Sequence, residues 1–397
     1  MRNGLSVGCI SSFVPKKCGI ATFSRDLTEA IKHNHIRSKI FIAAAENPRE
    51  SYTYYKSVVA VLKSNSPKSY RDAANTFNKL KLDVILLEHE FGLFGGKTTT
   101  PLLKNQKIGF PLGDNIFELI NNLDSPIITT LHTVVAEPDR QRKQVIQKIA
   151  KLSSSVITMT QDSKSILHEQ YGVNNQKIVV IPHGVPRAKL TNRLLSLKKL
   201  GLDKQNYYLL MSGLLGDNKG VRVAIKAMPD ILKEHPNVKL LIVGQVHPEV
   251  LALRGEYYFN SFVNLAKKLK IESSVIFINK YLKTSELMTY FSIADIYLTP
   301  YKDPEQAASG TLAYAIGSGL LTISTRYRYA KEILAHKRGF FVPFNNSRSI
   351  SVTVNRLMDD AELRKATKKL AKSYGKQMSW PIVGRDYLKL IKQTVSS

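Results

Sequence analysis

Short apolar runs alternate with segments of helical periodicity along the chain, and this alternation predicts an α/β fold. Leu5–Ile10 has the character of a buried strand and is followed by a glycine-containing loop and a helical pattern from Ala21 to Ile31. The other strand-like runs in the first half are Lys39–Ala45, Val58–Leu62, Asp83–Leu87, Pro126–Leu131, Ser155–Met159 and Ile178–Ile181. Apolar strands separated by helices favour a parallel, doubly wound sheet.

The alternation restarts in the second half of the chain. Its predicted strands are Tyr207–Met211, Val238–Val243, Val275–Ile278, Ile296–Thr299 and Leu321–Ser324, and its predicted helices are Val221–Leu232, Tyr257–Leu269, Ser285–Phe291, Ser347–Met358 and Ala361–Gly375. Since 397 residues exceed what one hydrophobic core usually serves, we expect two domains. We predict a doubly wound domain over residues 1–190, a basic linker over 191–206, a second such domain over 207–378, and a C-terminal helix over 379–397 that packs back on the first domain.

The stretch Thr299–Glu332 joins a predicted strand to a predicted helix through a loop of small residues. The loop contains Glu305-Gln306 and the turn Ser309-Gly310-Thr311. Backbone N–H groups at a helix N-terminus lack intrahelical acceptors and favour an anion, and glycine lets a ligand approach the backbone closely. An ordinary capped core helix is the alternative interpretation of the same residues.

A second glycine-containing loop, Ser212–Gly220, follows the first strand of the second half and precedes a helix. It contains Gly213 and Lys219, and Gly244 ends the next strand along the chain. Flexible glycines, backbone amides and a lysine suit a diphosphate, although turns of this composition are also common without a ligand.

Polar side chains follow the apolar strands of the first half. Glu88-His89-Glu90 and His132 come at strand ends, and Gly19 precedes the first helix. Because ligands bind at the carboxyl ends of strands in a doubly wound sheet, these residues are candidates for substrate contact. An ion-paired structural cluster is the alternative for Glu88-His89-Glu90, and a packed core residue is the alternative for His132.

The charge balance is strongly basic, with 58 Lys and Arg against 31 Asp and Glu, a formal net charge of +27. This excess favours anionic partners such as phosphorylated small molecules or an anionic membrane surface. We expect no nucleic-acid partner, because no nucleic-acid-binding motif is visible in the sequence. The absence of a long apolar run or a secretory signal pattern predicts a cytoplasmic protein. Cys9 and Cys18 are too few for a disulfide framework or a metal cluster, and we expect no metal.

Taken together and in this order, the motifs resemble glycosyltransferase family 4, whose members are retaining sugar-nucleotide transferases of the two-domain GT-B fold. The motifs that carry the resemblance are Gly19-Ile20, Thr130–Thr133, Ile181–Val185, Ser212–Gly220, Leu240–Gly244, Ala294–Pro300 and Ala315–Ser324. The resemblance implies two Rossmann-like domains facing each other across a cleft. It also implies a hexosyltransferase of polysaccharide biosynthesis, with a nucleotide-diphosphate sugar as donor and a saccharide or lipid-linked acceptor.

The resemblance further implies roles for single residues. Lys219 and the backbone amides at Ser309-Gly310-Thr311 would stabilise the leaving diphosphate. Glu305 would bind hydroxyls of the donor sugar, and His132 would contact that sugar from the opposite domain. The remaining residues of the donor site would be Gly19, Gly213, Gly244, Gln306 and Tyr314, with no metal and no other cofactor. Relatives work at the inner membrane face, so peripheral contact with anionic lipid there is a further expectation.

Three positions depart from the family pattern. Leu214 or Leu215 stands where the family usually has arginine, and Gln306 and Tyr314 stand where it has two glutamates eight residues apart. A tyrosine hydroxyl can bind a ribose but with a different reach from a carboxylate, and a packed helix tyrosine is the alternative. The sequence therefore predicts an atypical subgroup, with mannose or glucose as the expected sugar.

Two other functions stay open at the level of the sequence. A phosphorylase on the same fold would use free phosphate in place of the nucleotide, which the missing arginine and glutamate favour. A non-catalytic basic module would bind polyanions or a membrane. One predicted helix offers a basic face for such binding, or an ordinary solvated face, through Arg364, Lys365, Lys368, Lys369 and Lys372.

Overall fold

The computed structural model describes residues 4–48, 50–96, 112–186 and 192–396. The chain forms two compact units. The first comprises Met1–Gly184 together with Trp380–Ser397, and the second comprises Val185–Ser379.

The first unit is built on a seven-stranded parallel sheet. Its strands are β1 (Ser6–Ser11), β2 (Lys39–Glu46), β3 (Val58–Lys63), β4 (Val84–His89), β5 (Ile127–Leu131), β6 (Ser155–Thr158) and β7 (Ile178–Val180). Its first five helices are α1 (Gly19–Asn34), α2 (Pro67–Lys79), α3 (Phe117–Ile120), α4 (Arg140–Leu152) and α5 (Gln161–Glu169). The strands lie in the order β3-β2-β1-β4-β5-β6-β7. Every residue of the central strand β4 is buried, which includes Glu88 and His89 after its apolar run, as expected of a strand covered on both faces.

The second unit is built on a six-stranded parallel sheet. Its strands are β8 (Tyr207–Ser212), β9 (Val238–Val243), β10 (Val275–Ile278), β11 (Ile296–Thr299), β12 (Leu321–Thr325) and β13 (Phe340–Val342). Its helices are α6 (Arg193–Leu200), α7 (Val221–Glu234), α8 (Pro248–Arg254), α9 (Tyr257–Lys268), α10 (Thr284–Ile293), α11 (Gly310–Gly317), α12 (Arg328–Ile333), α13 (Ser347–Asp359) and α14 (Ala361–Gln377). The strands lie in the order β10-β9-β8-β11-β12-β13. The predicted fold class, with two doubly wound parallel sheets, is confirmed.

The last helix, α15 (Trp380–Ser396), belongs to the first unit and packs along α1. Asn34 Nδ2 donates to the carbonyl oxygen of Pro381 over 3.0 Å. A Cβ on Gly384 would lie 2.7 Å from the Cβ of Ala30, so the absence of a side chain at Gly384 lets the two helices come close together. The chain therefore returns to its first unit after completing the second.

The predicted linker over residues 191–206 needs correction. Residue 191 lies outside the described residues, and residues 193–200 form α6, which packs on α10. Arg193 forms an ion pair with Asp295 at 3.0 Å, and the side chain of Leu197 is buried. The leucines spaced along residues 194–200 predict such a helix within an otherwise polar and basic segment. The units meet along the chain between Gly184 and Val185, earlier than the boundary expected at residue 190.

Candidate active site

The loops after β8 and β11 lie side by side in the second unit, because the two strands are neighbours in the sheet. After β8 the chain continues to β9 on one side of the pair, and after β11 it continues to β12 on the other side. Such a topological switch point is where doubly wound sheets bind ligands, at the carboxyl ends of the strands. The loop after β8 carries Gly213 and Lys219, and the loop after β11 runs from Tyr301 to the start of α11.

Two glycines let the loops after β8 and β9 pack together. Gly213 and Gly244 have φ angles of 117° and 141°, which residues with side chains rarely adopt. A Cβ on Gly244 would lie 2.0 Å from the carbonyl oxygen of Gly213. A Cβ on Gly213 would lie 3.4 Å from Cγ2 of Thr311 and 3.9 Å from Nζ of Lys219. The two predicted glycines thus lie together, and Gly213 lies beside two residues predicted to bind the diphosphate.

Lys219 and three hydroxyl groups form a cluster at this place. Lys219 Nζ donates to Tyr301 Oη over 2.6 Å and lies 4.1 Å from the centre of the Tyr301 ring. Tyr301 Oη is also 3.3 Å from Ser309 Oγ and 3.3 Å from Thr311 Oγ1. We call Lys219, Tyr301, Ser309 and Thr311 the lysine–hydroxyl cluster.

The electrostatics of the cluster are unusual at Tyr301, whose side chain is buried. Burial on its own would raise the pKa of the Tyr301 hydroxyl. The Lys219 ammonium and the hydrogen bonds with Ser309 and Thr311 outweigh burial and lower that pKa below its ordinary value. The ring stacks on Tyr327 at 4.9 Å and 13°, which holds the hydroxyl in place.

The N-terminus of α11 adds backbone dipoles to the cluster. Ser309 is the N-cap residue, and its Oγ accepts from the backbone N–H of Leu312 over 3.3 Å. Gly310 and Thr311 begin the helix, where N–H groups have no intrahelical acceptor. One ammonium, three hydroxyls and a helix N-terminus together make a site that favours a phosphorylated ligand.

Gln306 lies next to this site, with its amide bonded to the protein itself. Its Oε1 accepts from Asn218 Nδ2 over 2.8 Å, and its Nε2 donates to the carbonyl oxygen of Ala308 over 2.8 Å. Asn218 Oδ1 in turn accepts from the backbone N–H groups of Lys302 and Asp303. Both residues therefore tie the loop after β8 to the loop after β11. The expectation that Gln306 contacts the ligand directly stays a prediction, and such a contact would have to replace one of these bonds.

The two other predicted positions of this stretch differ in exposure. The side chain of Glu305 is half exposed, and one of its oxygens forms a long ion pair with Nη1 of the buried Arg328 at 3.8 Å, so the carboxylate is still accessible to a ligand. Tyr314 is only 7% exposed on α11. That burial favours the interpretation of Tyr314 as a packed helix residue.

In the first unit, the residues predicted at the ends of β4 and β5 form a hydrogen-bonded group. His132 Nε2 lies 2.9 Å from Glu88 Oε2, and Thr130 Oγ1 donates to Glu88 Oε1 over 3.3 Å. Thr133 Oγ1 donates to Glu90 Oε2 over 2.8 Å. Glu88 and His132 therefore pair with each other, as parallel neighbouring strands allow.

Burial keeps two histidines of this unit neutral. Burial, reinforced by nearby His132, lowers the pKa of His89 to about 3. Among the described residues, neither ring nitrogen of His89 has a hydrogen-bond partner. Burial likewise lowers the pKa of His183 to about 4.

Gly19 is the first residue of α1, and a Cβ there would have open space around it.

A cavity of about 470 Å³ opens at the carboxyl ends of β9 and β10, next to Gly244. Its lining includes amide side chains from Gln245, Asn260 and Asn279, with apolar contact from Phe259. Amides offer both donors and acceptors, which suits a heterocyclic base.

One group of the described residues has spacing that would suit a metal ion: Glu234, His235 and Asp359, whose ligand atoms lie within 4.8 Å of one another. It lies where α7 and α13 end. The helix α7 starts near the carboxyl end of β8 and runs back, so its end is at the opposite edge of the sheet from the lysine–hydroxyl cluster.

Sequence reasoning missed Tyr301 and Asn218. Tyr301 comes two residues after β11, at the same kind of position that singled out Glu88 and His132, so the same rule could have found it. Asn218 lies beside Lys219 in the loop, but its partners are distant in sequence and only the fold reveals them.

Comparisons with known proteins match both units. The family profile described as "Glycosyl transferases group 1" matches residues 192–374, and that described as "Glycosyltransferase Family 4" matches residues 109–189. A D-inositol 3-phosphate glycosyltransferase of Kineococcus radiotolerans is 22% identical over 68% of this chain and 67% of the relative.

Solved structures resemble the whole chain. A glycosyltransferase of Rickettsia africae has a TM-score of 0.73 at 18% identity, covering 99% of each chain. Anabaena HepE, solved with UDP and glucose, has a TM-score of 0.72 at 15% identity, covering 97% of this chain and 99% of HepE. Among the helices of the described residues, none has both the length and the apolar character to cross a membrane. The chain belongs to glycosyltransferase family 4 and has the GT-B fold.

Proposed function

We propose that this glycosyltransferase moves a hexosyl group from a nucleoside-diphosphate sugar to a saccharide or lipid-linked acceptor, with retention of the anomeric configuration. The observation that carries the proposal is the lysine–hydroxyl cluster at the N-terminus of α11. Its Lys219 lies 3.9 Å from the place where Gly213 lacks a side chain. The diphosphate of the donor occupies this space.

The bond between the sugar and the diphosphate breaks during transfer, and negative charge builds up on the departing oxygen. Lys219 and the N–H groups of Gly310 and Thr311 stabilise that charge, since they are fixed before the reaction begins. Lys219 exchanges its hydrogen bond with Tyr301 for one with the diphosphate. Glu305 accepts hydrogen bonds from hydroxyls of the donor sugar, for which its half-exposed carboxylate is suited.

The nucleobase of the donor occupies the 470 Å³ cavity beside Gly244. Gln245, Asn260 and Asn279 bond to its polar edge, and Phe259 packs on its ring. The structure of HepE with UDP and glucose supports a nucleotide donor of this class. Glucose and mannose are the expected sugars, and the HepE complex favours uridine diphosphate as the carrier.

A panel of nucleotide sugars, with release of nucleoside diphosphate as the readout, tests the proposal. Lys219→Ala should lower kcat/KM for the active donor by about 100- to 1000-fold, the usual cost of removing one group that stabilises transition-state charge. Lys226→Ala removes an exposed lysine of α7 in the same unit and should leave the rate unchanged. The anomeric configuration of the product, read by NMR, tests retention.

Two results would contradict the proposal. Nucleotide sugars that stay intact with every acceptor, while an oligosaccharide and phosphate give a sugar 1-phosphate, would indicate a phosphorylase. Equal values of kcat/KM in Lys219→Ala and Lys226→Ala would show that the lysine–hydroxyl cluster does not stabilise the leaving diphosphate.

A further inference from the structure

A carboxylate without solvent contact lies beneath His132 in the first unit. Glu88 is 0% exposed, and both of its oxygens are bonded to side chains of β5 and its loop: Oε2 to His132 Nε2 at 2.9 Å, and Oε1 to Thr130 Oγ1 at 3.3 Å. Burying a carboxylate is costly unless its oxygens are hydrogen-bonded. A group held in this way cannot reach a substrate, so any effect on the reaction passes through its partners.

The contact with Glu88 decides which ring nitrogen of His132 carries the proton. A carboxylate oxygen accepts and does not donate, so Nε2 must be the protonated nitrogen. Nδ1 is left as the nitrogen that can accept a hydrogen bond. His132 keeps 8% of its surface exposed, so its ring still reaches solvent.

The orientation of the ring is fixed from two further directions. The backbone N–H of His132 donates to the carbonyl oxygen of His89 over 3.0 Å. The Phe23 ring meets the imidazole edge-on, with centroids 4.9 Å apart and planes at 86°. With the Glu88 contact, these interactions leave one orientation of the imidazole.

The chain of hydrogen bonds extends to the C-terminal helix. Thr130 Oγ1 lies 2.9 Å from Tyr387 Oη, and Tyr387 is buried on α15. The Thr130 hydroxyl has one proton, which it gives to Glu88, so it accepts from Tyr387. Tyr387, Thr130, Glu88 and His132 therefore form one hydrogen-bonded series in which the donors on both sides point towards the Glu88 carboxylate, and we call it the Glu88 relay.

We propose that Glu88 is a positioning residue, which holds His132 with Nε2 protonated and presents Nδ1 as an acceptor for a hydroxyl of the saccharide substrate. That the ligand is a saccharide rests on the proposed function, whereas the protonation state of the His132 ring does not. Neutral imidazole nitrogen is a good acceptor for a sugar hydroxyl, and a fixed ring loses no orientational freedom when it binds one. Thr130 holds the Glu88 carboxylate through its hydrogen bond to Oε1, and Tyr387 in turn bonds to Thr130.

NMR tests the protonation state without any assay of activity. In protein labelled with ¹⁵N-histidine, two-bond correlations distinguish a ring protonated at Nε2 from one protonated at Nδ1, and His132→Gln identifies the resonance. We expect a single ring form at His132, protonated at Nε2. A ring protonated at Nδ1, or an averaged mixture, would overturn the proposal even if the enzyme proves to be a transferase of another kind.

Kinetics test the effect on the reaction. Glu88→Leu removes the acceptor and should lower kcat by 30-fold or more, with nucleotide affinity within twofold because the nucleotide binds to the second unit. Glu88→Gln keeps an oxygen that can accept from Nε2 and should recover at least a third of the rate. If Glu88→Leu does not fold, Tyr387→Phe replaces it, with an expected threefold to tenfold loss of kcat. If Glu88→Leu, or Tyr387→Phe in its place, has the same kcat as Glu88→Gln and the unaltered enzyme, Glu88 has no positioning role.

Discussion

Tyr301 gives the donor site a dependence on pH. Its hydroxyl pKa lies below the ordinary value of about 10, so it ionises earlier than other tyrosines as the pH rises. The phenolate would then pair with Lys219 and repel the diphosphate. We expect KM for the donor to rise on the alkaline side in the unaltered enzyme, and this rise to disappear in Tyr301→Phe. Donor KM measured between pH 7 and 10 tests the expectation.

The control is Tyr327→Phe, which removes the hydroxyl of the tyrosine stacked on Tyr301. The Tyr327 hydroxyl bonds to Thr299 at 3.0 Å and does not contact Lys219 among the contacts of the described residues. This variant should keep the alkaline rise in KM. An unchanged pH profile in Tyr301→Phe would show that another group titrates.

His89 should make the first unit sensitive to acid. Its pKa is about 3 in the folded state and about 6.5 when unfolded, so below pH 6.5 the unfolded chain binds more protons and stability falls. At pH 5 this amounts to about 2 kcal/mol, with full stability present above pH 6.5. His89→Leu should remove that loss. Thermal unfolding at pH 5 and pH 8 measures it.

The exposed His33 provides the matched variant. His33→Leu also removes one histidine, from a place where the ring is already in water. Its drop in Tm from pH 8 to pH 5 should equal that of the unaltered chain. If His89→Leu shows the same drop, the buried ring does not cause the acid sensitivity.

At the level of single residues, the sequence indicated the chemistry at strand ends but not the direction of each side chain. Glu88 and His132 were singled out separately, and only the register of β4 with β5 shows that they bond to each other. Gln306 is predicted to contact the ligand because it stands where the family has a carboxylate. Its amide bonds are made with Asn218 and Ala308, and such pairings depend on how the loops cross.

The loops after β8 and β9 depend on each other at the scale of elements. Gly244→Ala would place a Cβ 2.0 Å from the Gly213 carbonyl oxygen, at a φ of 141° that alanine rarely adopts. Strain and displacement together should lower the free energy of unfolding by at least about 2 kcal/mol. Because the displaced loop carries Lys219, donor KM should also rise by tenfold or more. Denaturant unfolding and donor kinetics measure the two effects.

Gly216→Ala tests whether any alanine in this loop is harmful. Gly216 has extended backbone geometry at φ −144°, and a Cβ there would meet only Cγ2 of Val250 at 3.9 Å. Stability and donor KM should stay near those of the unaltered enzyme. Similar losses in both variants would mean that the close approach at Gly244 is not the cause.

The sequence predicts most strands and helices because short apolar runs alternate regularly with segments of helical periodicity. The leucines of residues 194–200 predict the helix α6 but not where it packs, because the contacts that hold it, such as Arg193 with Asp295, join residues about a hundred positions apart. The basic face predicted on α14 is also divided in the structure. Burial lowers the pKa of Lys368, and Arg364 donates to the last carbonyls of α13, so Lys365, Lys369 and Lys372 are its exposed cations.

On the scale of the whole molecule, the two units differ in how the chain builds them. The second is one continuous segment, whereas the first needs α15 from the far end of the chain. Helix α15 buries Trp380, Val383, Tyr387, Leu388, Leu390 and Ile391. Each buried apolar side chain contributes about 1.5 to 3 kcal/mol, so the six together contribute roughly 9 to 18 kcal/mol. That sum is comparable with the whole stability of a typical domain, about 5 to 15 kcal/mol.

A fragment of residues 185–379 should therefore fold alone, whereas residues 1–184 should not. Circular dichroism should show cooperative melting for the first fragment only, and a fusion of residues 380–397 to 1–184 through a flexible linker should restore it. A fragment 1–184 that melts at the temperature of the fusion would contradict the role given to α15.

Trp380 is the single tryptophan of the chain, and it lies where α15 rejoins the first unit. Its ring packs 5.2 Å from Phe23 and so closely on Gly184 that a Cβ there would lie 2.3 Å from the indole. Intrinsic fluorescence therefore comes from one defined place and needs no engineered label. Its emission maximum reports whether α15 is packed on the first unit. It does so independently of the folding of the second unit, which contains the lysine–hydroxyl cluster.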